Sequence, residues 1–470
     1  MAPSLAKRLL SPNDPLPLLL SSPNAHPELT PELYDFIALA LRAYVSPWWS
    51  RISRYDKDFV PHITRIIVHV VGVIDARIQN LDINALVFHD VPVILTQHIR
   101  DYRTAQAKVA TSYAAGGSLS LPALFAHLQP HTAVLSDGSI DADYYRQVID
   151  VVLRVCMPPE EYEPEVERDI VAEVILKVLV NDIIPKLSQP WFIHQSILSL
   201  LPPTEYEVGH SLYNWPYLTF LQITPPLQGT RFSFQTAIVV VLSALQSFSA
   251  TCLALIHAYK STISTIKLVH QSPKPTPAEP ISVVSSKSTR PGSIASGSTF
   301  SETITPTPLT PLTTHYAHHP IIFIHKLISA SSRFTASILL TLLSMLTTAF
   351  APFLDKLLPH LLSSFLSPLS VLHVTRTAKN TMFPNGYPGP PPIEPTPEEQ
   401  AALRESLAHW KPRGPLGTLW PVFLGPDPPV TMAQAIEPLD DAQCNTRLII
   451  FLLDRLMSVL FPELLGESVL

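Results

Sequence analysis

The fold of this chain is constrained most by apolar residues that recur at helical spacing between residues 32 and 102, and again between residues 144 and 197. The first stretch keeps its apolar side chains at i, i+3, i+4 and i+7, which is the spacing of one helix face. Its members are Leu33, Phe36, Ile37, Ala40, Leu41, Tyr44, Val45, Trp48 and Trp49. A second stripe runs from Phe59 to Ile78. The pattern predicts successive amphipathic helices in an all-α bundle.

A further amphipathic stretch follows Pro164, a residue suited to the start of a helix. Its apolar residues are predicted to share the face that packs in the core: Val166, Ile170, Val174, Ile175, Val178 and Leu179. Its charged residues are predicted to face solvent: Glu167, Arg168, Glu173 and Lys177. This division is typical of a helix in a soluble bundle.

Several segments carry a family resemblance, namely PWWSRIS, VPVILTQHIRDYRTA, the acidic stretch PEEYEPEVERD and PKLSQPWFIHQSI. Their order and spacing over roughly residues 32–200 resemble the PXA domain, the PX-associated module of certain sorting nexins. The resemblance is to a fungal-type, sorting-nexin-related protein that lacks a PX domain. It implies a helical PXA bundle followed by C-terminal nexin-like helices, with long disordered linkers between them.

Composition shifts along the chain predict eight segments. They are a disordered N-terminal lead (1–29), the PXA domain (30–205), an irregular connector (206–231), an uncharged amphipathic or transmembrane helix (232–270), a disordered linker rich in Ser, Thr and Pro (271–320), a second uncharged helical segment (321–372), a Pro-rich connector (373–397) and C-terminal nexin-like helices (398–470).

Composition also bears on partners and chemistry. Hydrophobic residues make up 46% and charged residues 15% of the chain, a balance that suggests contact with lipid. The net charge of −6 provides no basic field for nucleic acid. With only 14 glycines, no catalytic motif and no rigid set of metal ligands, we expect no enzyme activity, no metal and no cofactor. The three cysteines are far apart and indicate a reducing compartment.

Two runs without charged residues, 232–259 and 334–354, are the most informative stretches for function. In the second run the small polar residues form one stripe: Ser337, Thr341, Ser344 and Thr348. A helix of this kind suits either packing within a membrane or lining a lipid-filled groove. For the first run, the free energy of membrane insertion is close to neutral by composition, because its polar residues offset its apolar ones.

In PXA proteins the domain is thought to pair with the nexin-like helices and to enclose a hydrophobic channel, and the resemblance implies the same here. The residues predicted to line it are Val241, Leu242, Leu245, Phe248, Leu255, Leu339, Leu342, Leu343 and Met345. The expected partners are a membrane and a phospholipid or fatty-acyl lipid, with no nucleic acid.

The leading functional hypothesis is lipid binding or transfer on the cytosolic face of endoplasmic reticulum or endosomal and vacuolar membranes, including organelle contact sites. Phosphatidylinositol binding is a weaker variant. The alternative is a membrane-anchored tether or trafficking adaptor without lipid transfer.

The last stretch, Asn445 to Leu460, is predicted to form a helix that docks back on the PXA domain. Its apolar stripe is too wide to leave in water: Leu448, Phe451, Leu452, Leu456, Val459 and Leu460. Asn445 suits the N-cap, and Pro462 stops the helix.

Overall fold

A computed structural model describes residues 5–10, 16–20, 27–53, 56, 58–109, 111, 119–135, 137–202, 315–389, 394–412 and 415–466. Within these ranges the chain is helical and has no β-strand, only an isolated antiparallel bridge between Val134 and Ile140. The predicted all-α class is confirmed. The predicted helix at 232–270 and nearly all of the predicted linker lie outside the described residues.

The chain divides into two units by its internal contacts. The first unit comprises Met1–Asn214, Tyr316–Phe350 and Leu358–Leu470. The second comprises Trp215–His315 and Ala351–Leu357, of which the described part is His315 and the start of one helix. All contacts discussed below lie within the first unit.

The N-terminal half of the described chain contains twelve α-helices. They are α1 (Leu5–Leu10), α2 (Leu29–Ala40), α3 (Ser46–Ile52), α4 (Phe59–Asn80), α5 (Ile83–Ala85), α6 (Val91–Lys108), α7 (Leu121–Leu128), α8 (Ala142–Cys156), α9 (Pro159–Tyr162), α10 (Glu165–Lys177), α11 (Ile184–Leu187) and α12 (Pro190–Leu200). Three π-helical turns, Leu41–Val45, Leu86–Asp90 and Val178–Ile183, join consecutive helices without a break in the backbone.

The C-terminal half contributes eight more helices to the part of the chain that is described. They are α13 (His318–Leu327), α14 (Phe334–Ala349), α15 (Ala351–Phe365), α16 (Pro368–Met382), α17 (Pro397–Ala408), α18 (Pro415–Leu424), α19 (Pro428–Ile436) and α20 (Ala442–Leu460). Short 3-10 turns lie at Ala330–Ser332, Glu437–Leu439 and Pro462–Leu465.

The N-terminal lead is not simply disordered, which corrects the prediction for residues 1–29. Helix α1 and the residues after it bury Ala6, Leu10 and Leu19 in a cluster with Tyr34 and Ala38 of α2. The Tyr34 hydroxyl also donates a hydrogen bond to the Pro17 carbonyl at 2.5 Å. The apolar residues of this lead therefore pack in the core although the segment is rich in proline.

The boundaries of two other predicted linkers also change. Helix α13 begins at His318, within the predicted linker 271–320, and helix α16 continues to Met382, within the predicted connector 373–397. Arg376 of α16 pairs with Glu32 of α2 at 2.9 Å, and Lys379 contacts the same carboxylate. These hydrogen bonds lower the pKa of Glu32. The Pro-rich connector therefore starts about three helical turns later than its composition suggests.

Helix α10 is rotated relative to the prediction. Its buried residues are Ala172 and Leu176, which join a core cluster with Tyr145 and Ile149 of α8. Most of the predicted core stripe lies on the outside instead, with Val166 72% exposed and Ile170 60% exposed, whereas Leu179 packs against the core cluster. The small side chain of Ala172 permits close approach to α8, and this favours the observed face over the wider stripe of β-branched residues.

The C-terminal helix α20 docks on helices α8 and α11 of the N-terminal half, as its apolar stripe predicts. Ile450 is fully buried in the cluster that contains Tyr145, Ile149 and Ile184. Leu448 is also buried, but Leu456 is 41% exposed and does not belong to the core, contrary to the prediction. The helix ends at Leu460, before Pro462, as expected.

Polar contacts fix the position of α20 as well. The amide of Asn445 is fully buried and donates to the Ser188 carbonyl at 3.2 Å and to the Leu439 carbonyl at 2.8 Å. Asn445 is therefore not the N-cap, because Asp441 caps the helix by accepting from the Cys444 backbone N–H at 2.8 Å. A buried amide bonded to two carbonyls specifies one register of the helix against α11.

Beyond α20 the chain is tied back to α4. The Arg77 guanidinium pairs with both carboxylate oxygens of Glu463, at 2.6 and 3.1 Å, and donates to the Leu460 carbonyl at 2.9 Å. The Tyr144 hydroxyl of α8 donates to Asp454 at 2.7 Å. Helices α4, α8 and α20 are thus parts of one packed unit.

Two buried histidines should make this docking sensitive to pH. His98 donates through Nε2 to the Pro438 carbonyl at 3.0 Å, and His194 lies 3.4 Å from Asp440. Burial lowers the pKa of both imidazoles below the usual 6.5, against the opposing effects of the Pro438 carbonyl and nearby carboxylates. The unfolded chain therefore binds protons more readily than the folded chain below that pH. We expect the melting temperature to fall as the pH is lowered from about 7 to about 5.

The matched comparison is His98→Gln, which keeps an N–H donor but cannot titrate. Its melting temperature should depend less steeply on pH across the same window, whatever its absolute value. Carboxylates with lowered pKa values, such as Glu32 and Glu463, contribute only at more acidic pH, because their ordinary pKa is 4.5. Equal slopes for both proteins would contradict this account of His98.

Candidate functional site

The uncharged helix α14 is held by the C-terminal helices. Its Ala336 and Leu340 are buried against Leu424 of α18, in a cluster that also contains Ile328 and Met432. The chain reverses into α14 at Ser329, which has a positive φ of 50°. One narrow face of α14 is thereby packed, and the remainder of the helix points away from this cluster.

The preceding helix α13 attaches this pair of helices to the PXA region. The Arg103 guanidinium of α6 donates to the Leu327 carbonyl at 2.8 Å and also contacts the Lys326 carbonyl. These carbonyls end α13, where a cation is favoured by the helix dipole. The rings of Phe88 and Tyr316 add a contact with centroids 5.8 Å apart. The orientation of α14 is therefore set from two sides.

The outward face of α14 is a continuous apolar surface, which we call the α14 face. It consists of Phe334, Ile338, Leu342, Leu343, Met345, Leu346 and Phe350, each at least two-fifths exposed within the described structure. The helix contains no charged residue along its whole length. Exposed patches of this size mark binding sites for lipid, membrane or protein.

Only some of the residues that were predicted to line a lipid site lie together in the described structure. Leu342 is 50% exposed and Met345 is 65% exposed, and both lie on the α14 face with Leu343. Leu339 is only half-buried. The remaining predicted residues lie outside the described part of the chain: Val241, Leu242, Leu245, Phe248 and Leu255. Apolar spacing alone does not distinguish Leu340, which anchors the helix, from its apolar neighbours.

The two threonines in the polar stripe of α14 donate hydrogen bonds within the helix itself. The Thr341 hydroxyl donates to the Ser337 carbonyl at 2.7 Å, and the Thr348 hydroxyl donates to the Ser344 carbonyl at 2.8 Å. Neither threonine hydroxyl is therefore left without an acceptor when water is removed. These two side chains consequently add little cost to the transfer of α14 into an apolar environment.

The length of α14 determines whether this helix could span a membrane. At 16 residues it is roughly 24 Å long, which is shorter than the hydrocarbon core of a bilayer. Two other described stretches are long and apolar enough to cross a membrane, Phe59–Asn80 and Ala351–Met382. The second is interrupted between Phe365 and Pro368, so it forms two helices of 15 residues each.

The described residues contain no group of three or more His, Cys, Asp or Glu side chains placed to hold a metal. Cys156 and Cys444 are free and buried, and burial raises the pKa of both thiols. A thiol in this state is a poor nucleophile at neutral pH. The α14 face is therefore the feature of the described chain with the clearest binding potential.

Comparison with known proteins identifies the N-terminal region. A family model described as the PXA domain matches residues 26–200, close to the predicted bounds. PXA domain protein 1 of Schizosaccharomyces pombe is 26% identical over 173 residues, which cover 37% of this chain and 34% of that protein. Sorting nexin-19 of Mus musculus is 26% identical over 191 residues, which cover 40% of this chain and 19% of that protein.

Human sorting nexin-19 is also 26% identical, over 194 residues that cover 18% of its length. This chain thus spans about a third of the yeast relative and under a fifth of the sorting nexins. No solved structure matches the chain. Residues 26–200 match the PXA domain model, and over about two-fifths of its length the chain is similar to PXA domain protein 1 and to sorting nexin-19.

Proposed function

We propose that this protein binds phospholipid or fatty-acyl lipid through the α14 face while associated with intracellular membranes. The PXA domain and the sorting-nexin relatives indicate a role related to membrane trafficking. The observation that carries the finer proposal is the α14 face itself: it is uncharged, exposed and held on a packed unit. The endoplasmic reticulum and endosomal or vacuolar membranes, on their cytosolic side, are the proposed locations.

The energetics support a lipid ligand for this face. Burying several exposed Leu, Ile, Phe and Met side chains contributes on the order of 10 kcal/mol before ordering costs. Acyl chains can bury these side chains and have no hydrogen-bonding groups of their own that need partners. The hydroxyls of Thr341 and Thr348 already donate within the helix, so they do not oppose it.

A membrane-spanning tether is the competing function. The length of α14 disfavours this helix as the span, because 16 residues are short for a bilayer core that needs about 20. Extraction of membranes with alkaline carbonate separates the two. Release of the protein into the supernatant is expected for lipid binding at the surface, whereas retention in the pellet supports a tether.

The α14 face is tested by adding charge to it. The double variant Leu342→Asp, Met345→Asp is expected to lose most of its binding to phosphatidylcholine vesicles, because each buried carboxylate would cost several kcal/mol. Flotation of the full chain with vesicles measures this. Both positions are exposed, so the fold should be retained and the melting temperature should stay within a few degrees.

The matched control is Thr348→Asp, which adds a carboxylate to the same helix at an exposed position on its polar stripe. This variant should float with vesicles almost as well as the unmodified protein. Equal flotation of the double variant and the unmodified protein would contradict a role for the α14 face. Equal loss in the control would show that charge on the helix matters but the face does not.

A further inference from the structure

Helix α10 and the π-helical turn after it carry a second exposed apolar surface, on the PXA domain itself. We call it the α10 face, and it consists of Val166, Ile170, Val171, Val174, Ile175, Val178 and Ile183. These side chains occupy one half of the helix circumference, opposite the buried Ala172 and Leu176. Val166 and Ile170 are among the more exposed large apolar residues of the described chain.

Acidic side chains surround this face. Residues 159–183 contain eight Asp or Glu and two Lys or Arg, so this stretch alone accounts for a charge equal to the −6 of the whole chain. Glu163, Glu165, Glu167 and Asp182 are exposed, and no ion pair joins them to another described residue. The α10 face is therefore apolar along its middle, negative at its N-terminal end and mixed in charge at its C-terminal end, where the exposed Lys177 precedes Asp182.

This charge pattern decides between possible occupants. The cytosolic surface of membranes is negative, so an anionic bilayer would be repelled by these carboxylates. A second copy of the same face would bring two negative rims together, which is also unfavourable. The α14 face differs, because its helix has no charged residue. The two apolar surfaces thus suit different ligands.

We propose that the α10 face is a docking site for an amphipathic helix with basic flanks, supplied by a partner protein. An apolar stripe with residues at i, i+4 and i+8 receives the anchors of such a helix, as in helix-in-groove recognition. Lys or Arg beside those anchors would pair with Glu165 and Glu167 at one end and with Asp182 at the other. The apolar contacts supply affinity, and the charges set the orientation and the choice of partner.

The test uses a synthetic amphipathic peptide of about four helical turns, with Leu on one face and Lys beside it. A second peptide has Glu in place of each Lys. Fluorescence anisotropy with the full chain should show binding of the basic peptide, weakened by added salt, and little binding of the acidic one. Ile170→Ser with Val174→Ser should weaken binding of the basic peptide by roughly tenfold or more.

Charge reversal makes the test specific. The variant Glu167→Lys, Asp182→Lys should lose affinity for the basic peptide and gain affinity for the acidic one. The double variant Leu342→Asp, Met345→Asp, which alters only the α14 face, should bind the basic peptide normally. Circular dichroism and melting confirm that each variant is folded.

Three results would overturn the proposal. Equal affinity for both peptides would show that charge does not select the occupant. Unchanged binding in the Ile170, Val174 variant would place the peptide elsewhere. Binding that appears only after deletion of the predicted uncharged segment 232–270, together with faster hydrogen exchange of α10 in that deletion, would mean that this chain covers the face itself.

Discussion

Removal of residues 440–470 is expected to lower the melting temperature of the PXA domain by roughly 10 °C or more, because several kcal/mol of packing are lost. The deletion exposes the cluster around Tyr145, Ile149 and Leu176, which the side chain of Ile450 completes. It also removes the partner of Arg77 and the contact from Asn445 to the Ser188 carbonyl. Calorimetry of the full chain and of the deletion variant measures the difference.

Limited proteolysis provides the second readout for this deletion. Helices α8 and α11 should become accessible to protease, because both contact α20 directly. A chain truncated after α12 would lack the same contacts and should behave in the same way. If residues 27–200 melt at the same temperature with and without the C-terminal segment, the two ends of the chain do not form one unit.

A pair of alanine variants on α20 should give very different results. Ile450→Ala is expected to lower the free energy of unfolding by about 2–5 kcal/mol, because it leaves a cavity in a fully buried site. Leu456→Ala on the same helix should cost well under half as much, since Leu456 is 41% exposed. Denaturant titration of both variants measures the two values.

This pair also tests the structure against the pattern in the sequence. The predicted stripe contains Leu456 and omits Ile450, whereas the structure buries Ile450 in the core. A larger loss for Leu456→Ala than for Ile450→Ala would indicate that α20 packs by the sequence-derived stripe. The comparison is controlled, because both changes shorten an aliphatic side chain in one helix.

The helical architecture was predictable because apolar spacing determines which segments can be helices at all. The stripe from Phe59 to Ile78 became α4, and the last stripe became α20. Which face of a helix is buried was harder to predict, as Val166 and Ile170 of α10 show. A wide apolar arc can pack through either side, and the neighbouring helices select between them.

Local chemistry explains two other differences. Asn445 looked like an N-cap, yet Asp441 begins the helix four residues earlier and leaves Asn445 to bond across the interface. The π-helical turns could not be predicted from the sequence, because no particular residue type marks them. Each turn changes the helical spacing, so an apolar stripe moves to a different side of the helix after it. Val178 lies at the start of such a turn, so the α10 stripe could not be extended reliably past it.

The sequence predicts which helix carries the candidate lipid site, but it does not predict how that helix packs on the rest of the protein. The absence of charge in α14 identified the helix, and its polar stripe was correctly expected to lie along one side. Its anchoring by Leu340 against Leu424 depends on a contact between distant parts of the chain. Spacing within one helix carries no information about such a contact.

Mass spectrometry of lipids that co-purify with the detergent-free full chain shows whether this protein binds acyl lipid. We expect phospholipid or fatty-acyl species with the unmodified protein and with Thr348→Asp. We expect a strong loss of those species with the Leu342→Asp, Met345→Asp variant. Unmodified protein that carries no lipid, and takes up none from phosphatidylcholine vesicles, would contradict the claim.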